Sequence, residues 1–395
     1  MPRAAPGAVG AAIRGEFPIL AEKTYLNSCS QGALSQRVRA AYEEYLRGWD
    51  QNGAEWGRWV ERAEAMRASF ARLLHATPDE IAITTSVSQA VAALVSALPL
   101  GERPRIVIGD YEFPTVGQIA HAQELRGAEV VHVRPASDGS IPPERFDEVV
   151  DERTALVCCT TISYRTGHRQ DIGAIAAIAH SRGALCLADS YQAVGAMELD
   201  PGKLGVDFLT SGTVKYLLAS AGLGFAYIRG ELASSLLPTQ TGWFADEDIF
   251  KMDIEDYSPA FSARRFDSGT PPVPNIYAGL AGASLVEEAG TSAIEDHIAS
   301  LTAELVDGLD SLGAMVVTPH DPSARGPLVC VRSTDVDALL TALTADGVIA
   351  SSRAQNLRLA LHFYNTSDDV QAVLSSLARH RHLLAAAPGA PARVA

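Results

Sequence analysis

Lys215 stands in Ser211-Gly212-Thr213-Val214-Lys215-Tyr216, directly after an apolar run, and its amine could condense with an aldehyde. Asp189 ends another such run and opens Asp189-Ser190-Tyr191-Gln192, a carboxylate placed to keep a neighbouring ring nitrogen protonated. Thr84-Thr85-Ser86-Val87-Ser88-Gln89 has the hydroxyl-rich pattern of a helix N-terminus, which can receive an anion. Asp110-Tyr111-Glu112-Phe113-Pro114-Thr115 offers an aromatic ring on a loop, and Ser163-Tyr164-Arg165-Thr166-Gly167 a further polar cluster. Arg358 provides a planar cation suited to capturing a carboxylate through two hydrogen bonds. Each feature alone also has a structural reading: a cap for the serines, core for Phe113, a snorkelling surface position for Lys215. Their combination is what suggests chemistry on a small amino acid.

Such side chains act together only if the fold delivers them to one place. Short apolar runs at 81–85, 105–110, 130–133, 155–161, 184–189, 208–211 and 224–228 alternate with stretches of helical spacing such as 172–182. Strands apolar throughout and separated by helices belong to a mostly parallel sheet covered on both faces, so the pattern predicts a large α/β domain with seven strands. Ligands gather at the C-terminal ends of such strands, where the polar segments named above fall. After Pro271-Pro272 the rhythm changes to a long helix over 276–312, interrupted at Gly290. Short strands follow near 328–332, 348–351 and 357–361, with helices around 335–346 and 367–380, predicting a smaller α+β domain. The expected division is an N-terminal arm (1–24), a large domain (25–270), a small domain (271–385) and a frayed tail (386–395).

Composition narrows the classes of function. A chain of 395 residues, 47% hydrophobic and 20% charged, can bury a large core. A net charge of −15 disfavours nucleic acid and anionic membrane surfaces as partners. No apolar run approaches the ~18 residues of a membrane span, and the N-terminus lacks the apolar stretch of a secretory signal, so a cytoplasmic location is expected. The cysteines, Cys29, Cys158, Cys159, Cys186 and Cys330, are odd in number and lack metal-ligand spacing, so neither a disulfide framework nor a metal centre is expected. Four of them lie in apolar runs; Cys29 lies in a loop.

The set of amine, acid, helix N-terminus, flat ring and guanidinium meets the needs of a pyridoxal 5′-phosphate site. In order along the chain, YLNSCSQGALS (25–35), ITTSVSQAV (83–91), DYEFPT (110–115), ISYRTGHRQDI (162–172), ADSYQAVGAMELD (188–200), DFLTSGTVKYLLASAGLGFAYIRG (207–230), GW (242–243), RRFDSGTPPVPN (264–275) and LRLALHFYNT (357–366) carry a wider resemblance. The chain resembles the class V aminotransferase family of fold-type I pyridoxal phosphate enzymes, which includes cysteine desulfurases, selenocysteine lyases, kynureninases and isopenicillin N epimerase. The resemblance implies that Lys215 forms the Schiff base, that Asp189 pairs with the pyridine nitrogen, and that Gln192 bonds the ring hydroxyl. It implies that Phe113 stacks on the ring and that Ser86, Val87 and Ser88 hold the phosphate. Ser163, Trp243, Gly269 and Thr270 are the other positions expected at the cofactor, the glycine-threonine pair reaching across a homodimer interface. Arg358 matches the receptor for the substrate carboxylate, with Cys29 and Arg165 expected nearby.

The reaction is less sharply indicated. Cysteine desulfurases carry a nucleophilic cysteine shortly before the matching arginine, and the stretch 347–358 has none. Kynureninases have a tyrosine before the lysine, where this chain has Val214. These departures point to a lyase that cleaves a Cβ–S bond of a cysteine-derived substrate by β-elimination. An aminotransferase, a decarboxylating deaminase, an epimerase and a kynureninase-like hydrolase remain open, as does a silent scaffold. A nicotinamide dehydrogenase would need a GxGxxG turn after an early strand, which is absent. Trp56 and Trp59, three apart, read either as core or as the wall of a pocket for a bulky substrate.

Overall fold

The computed structural model describes residues 13–136 and 139–387. Residues 1–12 of the expected arm and 388–395 of the expected tail lie outside them. In chain order the strands are β1 (Thr24–Tyr25), β2 (Ile81–Thr84), β3 (Arg105–Gly109), β4 (Glu129–Val133), β5 (Thr154–Thr160), β6 (Leu185–Asp189), β7 (Phe208–Gly212), β8 (Gly224–Ile228), β9 (Leu328–Arg332), β10 (Val348–Ile349), β11 (Ser351–Arg353) and β12 (Asn356–Ala360). The longer helices are α1 (Gln36–Asn52), α2 (Trp56–Leu73), α3 (Val87–Ser96), α4 (Pro114–Ala122), α5 (Ile172–Ser181), α6 (Val273–Ala289), α7 (Thr291–Ser311), α8 (Val336–Ala345) and α9 (Ser367–Arg379).

The large sheet has the order β2-β8-β7-β6-β5-β3-β4. Strands β7, β6, β5, β3 and β4 run parallel, and β8 is antiparallel to both neighbours. Alternate side chains feed two different apolar clusters. Val107, Val157, Cys159 and Leu209 pack with α2, α5 and α6, whereas Ile106, Ile108, Leu156, Leu187 and Phe208 pack with α3 and α4. Two covered faces explain why these strands are apolar at every position and why they were visible in the sequence.

The expected long helix is α6 followed by α7, with Gly290 at φ 80° as the break. The apolar run near 348 divides in two: β10 pairs with β1, and β11 joins the antiparallel sheet β11-β12-β9. That sheet has its own apolar cluster, in which Val329, Val331, Leu357 and Leu359 gather with Leu305, Leu309, Leu339 and Leu377 of the covering helices. Strands β11 and β12 form a hairpin whose register, Arg353 opposite Asn356, leaves only Ala354 and Gln355 to turn the chain. Both have positive φ, 51° and 63°, as a two-residue hairpin turn requires.

Candidate active site

The C-terminal ends of β2, β3, β5, β6 and β7 surround a cavity of about 280 Å³. Ser86, Val87, Ser88, Phe113, Asp189, Gln192 and Lys215 all line it, so the residues expected from separate segments converge. Asp189 is the last residue of β6, and Lys215 follows β7, the strand beside it. The Lys215 loop is held in place by close backbone packing. The Gly32 amide donates to the Val214 carbonyl at 2.8 Å, and Gly195, at φ 93°, lies so near Tyr216 that an added Cβ would sit 2.4 Å from its carbonyl oxygen.

Electrostatics in the cavity follow from dehydration. Burial pushes the Lys215 amine down from 10.5 to about 8, against the attraction of Asp189. Burial likewise raises the Asp189 carboxyl, while the Tyr191 amide, donating to Oδ1 at 3.0 Å, and the Lys215 charge favour its ionised form. Lys215 Nζ lies 4.1 Å from the centre of the Tyr191 ring and 5.7 Å from that of Phe113.

Helix α3 begins at the cavity wall. Ser86 is its N-cap, its hydroxyl accepting from the Gln89 amide at 3.2 Å, while Val87 and Ser88 carry amides without an intrahelical acceptor. Ser88 Oγ and Thr115 Oγ1 are 3.0 Å apart, placing two hydroxyls beside those amides. Opposite, Gln192 donates from Nε2 to the Cys29 carbonyl at 3.0 Å, and its buried Oε1 has no partner. The cavity thus presents an anion cradle, an exposed aromatic face, an acid, an amine and an unsatisfied amide oxygen, a set that fits a phosphorylated pyridine aldehyde.

Arg358, on β12, is 4% exposed. Its guanidinium donates to the Tyr164 carbonyl at 3.2 Å, Ser30 Oγ at 2.9 Å and Ser351 Oγ at 3.0 Å. Its Nε is buried without a partner. Among the described residues no carboxylate pairs with it, so a buried cation stands ready for an external anion.

Other expected residues lie farther out. Cys29 is buried, with Sγ 3.5 Å from Ser351 Oγ. Ser163 Oγ accepts from the Arg165 and Thr166 amides at 3.3 Å each and does not line the cavity; its neighbours Ile162 and Tyr164 do. Arg165 donates from Nε to Tyr164 Oη at 2.9 Å and faces a second cavity with His168, His320 and Arg332. Trp243 donates from its indole nitrogen to the Ile249 carbonyl and packs on Trp56, outside the cofactor cavity of the single chain. Gly269 and Thr270 are exposed before α6 and likewise do not line it.

Several contributors escaped the sequence reading. Tyr191 and Tyr164 supply aromatic walls, Tyr164 meeting Phe113 edge-on at 5.1 Å. Thr115 could have been inferred from its place two residues after Phe113 at a helix start. Glu112 is buried just before Phe113, with neither carboxyl oxygen hydrogen-bonded to a side chain partner; burial, and then the charge of Asp189, push its pKa well above the usual carboxylate range.

With this geometry in hand, comparison with known proteins is decisive: residues 24–373 match the family described as Aminotransferase class-V. The chain belongs to that family. It is 35% identical to the Bacillus subtilis "Uncharacterized aminotransferase YcbU" over 362 residues, 92% of this chain and 95% of that protein. It is 30% identical to the kynureninase of Deinococcus radiodurans over 361 residues, 87% of this chain and 86% of that one. Among solved structures, the cystine C–S lyase C-DES with its product cysteine persulfide superposes with a TM-score of 0.83 at 22% identity, covering 92% of this class V chain and 99% of C-DES. The architecture is therefore the fold-type I fold, as the strand pattern anticipated.

Proposed function

We propose that this class V chain is a lyase that cleaves the Cβ–S bond of cystine or another S-substituted cysteine, releasing a sulfur-bearing product together with pyruvate and ammonia. The cofactor is pyridoxal 5′-phosphate, whose protonated ring withdraws electrons from the substrate Cα when bound. Every other element of the reaction is assigned to side chains. Arg358 receives the α-carboxylate in a bidentate pair, with Ser30 and Ser351 turning their hydroxyls toward it. Lys215, its amine lowered to about 8, takes the Cα proton near neutral pH. Asp189 would hold the proton on the ring nitrogen, Phe113 would cover one ring face, and the amides at Val87 and Ser88 would receive the phosphate, since all four residues line the cavity.

The observation that carries the choice of elimination is the β11–β12 hairpin. The segment before Arg358 is a tight two-residue turn without a cysteine, so no mobile nucleophile reaches the substrate sulfur from that side. A thiolate or persulfide leaves without one, since its negative charge is stable in water. The likeness of the fold to a cystine C–S lyase supports the same reading. Incubating the cofactor-loaded protein with L-cystine and S-alkyl cysteines, with lactate dehydrogenase to detect pyruvate, tests it. Matched release of pyruvate with thiol from S-alkyl cysteines, or with persulfide from cystine, is expected; their absence with every S-substituted cysteine overturns it.

The similarity to a protein described as an aminotransferase gives a second reading, transamination of an amino acid. It produces a keto acid with the substrate side chain intact, which mass spectrometry of the products separates from elimination.

We also infer a homodimer. Trp49, Phe261 and Ile254 are 60%, 75% and 98% exposed, apolar surface that a second copy would cover, and Gly269 and Thr270 then become available to a neighbouring site. A cytoplasmic location and the division at about residue 270 stand as proposals on the same footing, the latter supported by the separate apolar cluster around β9 and β12. No helix among the described residues is long and apolar enough to cross a membrane.

A further inference from the structure

Away from the cofactor cavity, two histidines meet at the edge of the large sheet. His121 lies in the last turn of α4 and His132 in the edge strand β4. Their Nε2 atoms face each other at 3.1 Å, with the ring centres 5.3 Å apart and the planes inclined by 27°. The far nitrogen of each ring meets a carboxylate: His121 Nδ1 is 3.1 Å from Glu124 Oε1, and His132 Nδ1 is 3.0 Å from Asp110 Oδ1. The second oxygen of Asp110 accepts from Arg134 at 2.9 Å, which fixes that acid in turn.

These partners dictate the tautomers. An ionised carboxylate only accepts hydrogen bonds, so each Nδ1 carries a proton, and in a neutral ring the Nε2 then presents a lone pair. Two lone pairs pointing at one another repel unless they share a cation, whether a proton or a metal ion. For a tetrahedral ion bonded to imidazole at ~2.0 Å, the distance between two ligand nitrogens is ~3.3 Å, close to that found here. A carboxylate behind each ring is also the usual arrangement around metal-binding histidines, where it orients the ring and raises its basicity. Both rings are reachable from solvent, with side chains 47% and 31% exposed.

We propose that His121 and His132 form a binding site for a divalent transition ion of the zinc or nickel type, oriented by Glu124 and Asp110. Imidazole nitrogen suits these ions, whereas magnesium and calcium require oxygen donors. Among the described residues no group of three or more His, Cys, Asp or Glu side chains surrounds one ion position. The protein therefore supplies two ligands and leaves the remaining positions to water or an external donor. The site was invisible in the sequence because the two histidines are 11 residues apart on different elements.

Titrating the cofactor-loaded, full-length protein with ZnCl2 in a calorimeter tests this, with His121→Ala, His132→Gln and Glu124→Gln measured in parallel. Wild type is expected to show a binding event that both histidine variants lose or weaken by at least tenfold. Glu124→Gln, which keeps both rings, is expected to weaken it ~10- to 100-fold. Thermal unfolding without metal should be nearly the same in all four proteins, and added zinc should raise the midpoint of wild type more than that of any variant. Coincident zinc isotherms for wild type and His121→Ala overturn the proposal. Undiminished binding by Glu124→Gln also overturns it, because the carboxylates would then have no part in building the site.

Discussion

Replacing Lys215 by Met in the cofactor-free protein should make it more stable, and the gain should depend on pH in a defined way. The amine is buried and its pKa falls from 10.5 to about 8, chiefly through dehydration, with Asp189 offsetting part of the loss. At ~1.4 kcal/mol per pKa unit, that difference corresponds to a penalty of about 3 kcal/mol for carrying the charged lysine in the folded state. The direction follows from proton counting. Between pH 8 and 10.5 the unfolded chain holds the lysine proton and the folded chain does not, so wild-type stability rises with pH across that window. Below pH 8 both states are protonated and the full penalty applies; above 10.5 neither is, and it vanishes. Met has similar length and no charge, so Lys215→Met should exceed wild type by about 3 kcal/mol at pH 7, converging toward it by about pH 10.5. Urea denaturation of both proteins, followed by far-UV circular dichroism at half-unit intervals of pH, reads this directly. Parallel stability curves from about pH 7 to 10.5 would refute the dehydrated amine, and with it the account of how Lys215 becomes a base near neutrality.

Three further outcomes are expected. Arg358→Ala should lower kcat/KM on the active substrate by ~100-fold or more through loss of a charge-assisted pair, and should move the ascending, acid-side limb of the rate profile to higher pH, because the Arg358 charge helps depress Lys215, the base; an unchanged kcat/KM would exclude it as the carboxylate receptor. Glu112, whose folded pKa lies well above the unfolded 4.5, contributes stability that is present below 4.5 and lost as pH rises through the folded value. Glu112→Gln should therefore gain on wild type as pH rises above the unfolded value of 4.5, and a constant difference in urea midpoints across that rise would sink that assignment. Gly195→Ala forces a Cβ onto the Tyr216 carbonyl at positive φ, so it should cost ~1–3 kcal/mol or more and reduce cofactor content measured by visible absorbance.

The apolar strands were legible because the sheet is covered on both faces, which leaves β5 buried at all seven positions. That same uniformity concealed the direction of β8, since a doubly covered strand looks alike whether parallel or antiparallel to its neighbours. Strands β1 and β11, of two and three residues, are too short for any periodicity. In the site, Lys215, Asp189 and Phe113 were legible from residue type and from their place at strand ends. Tyr164 and Tyr191 were not, because an aromatic residue in a loop carries no mark of which way its ring turns. The serines on Arg358 were hidden for a different reason: Ser30 meets it from a distant part of the chain, and only the pairing of β11 with β12 brings Ser351, seven residues before it, opposite it.

The short turn at Ala354 and Gln355 bears on what becomes of the sulfur. A swinging arm that loads itself with sulfur must also unload onto a carrier, so such enzymes are paced by whoever collects the cargo. On the proposed lyase reaction, a chain with no arm at that edge would set its product free into solvent. Its turnover should then be indifferent to added acceptor proteins, and the fate of the liberated sulfur compound falls to diffusion and to whatever thiols it meets.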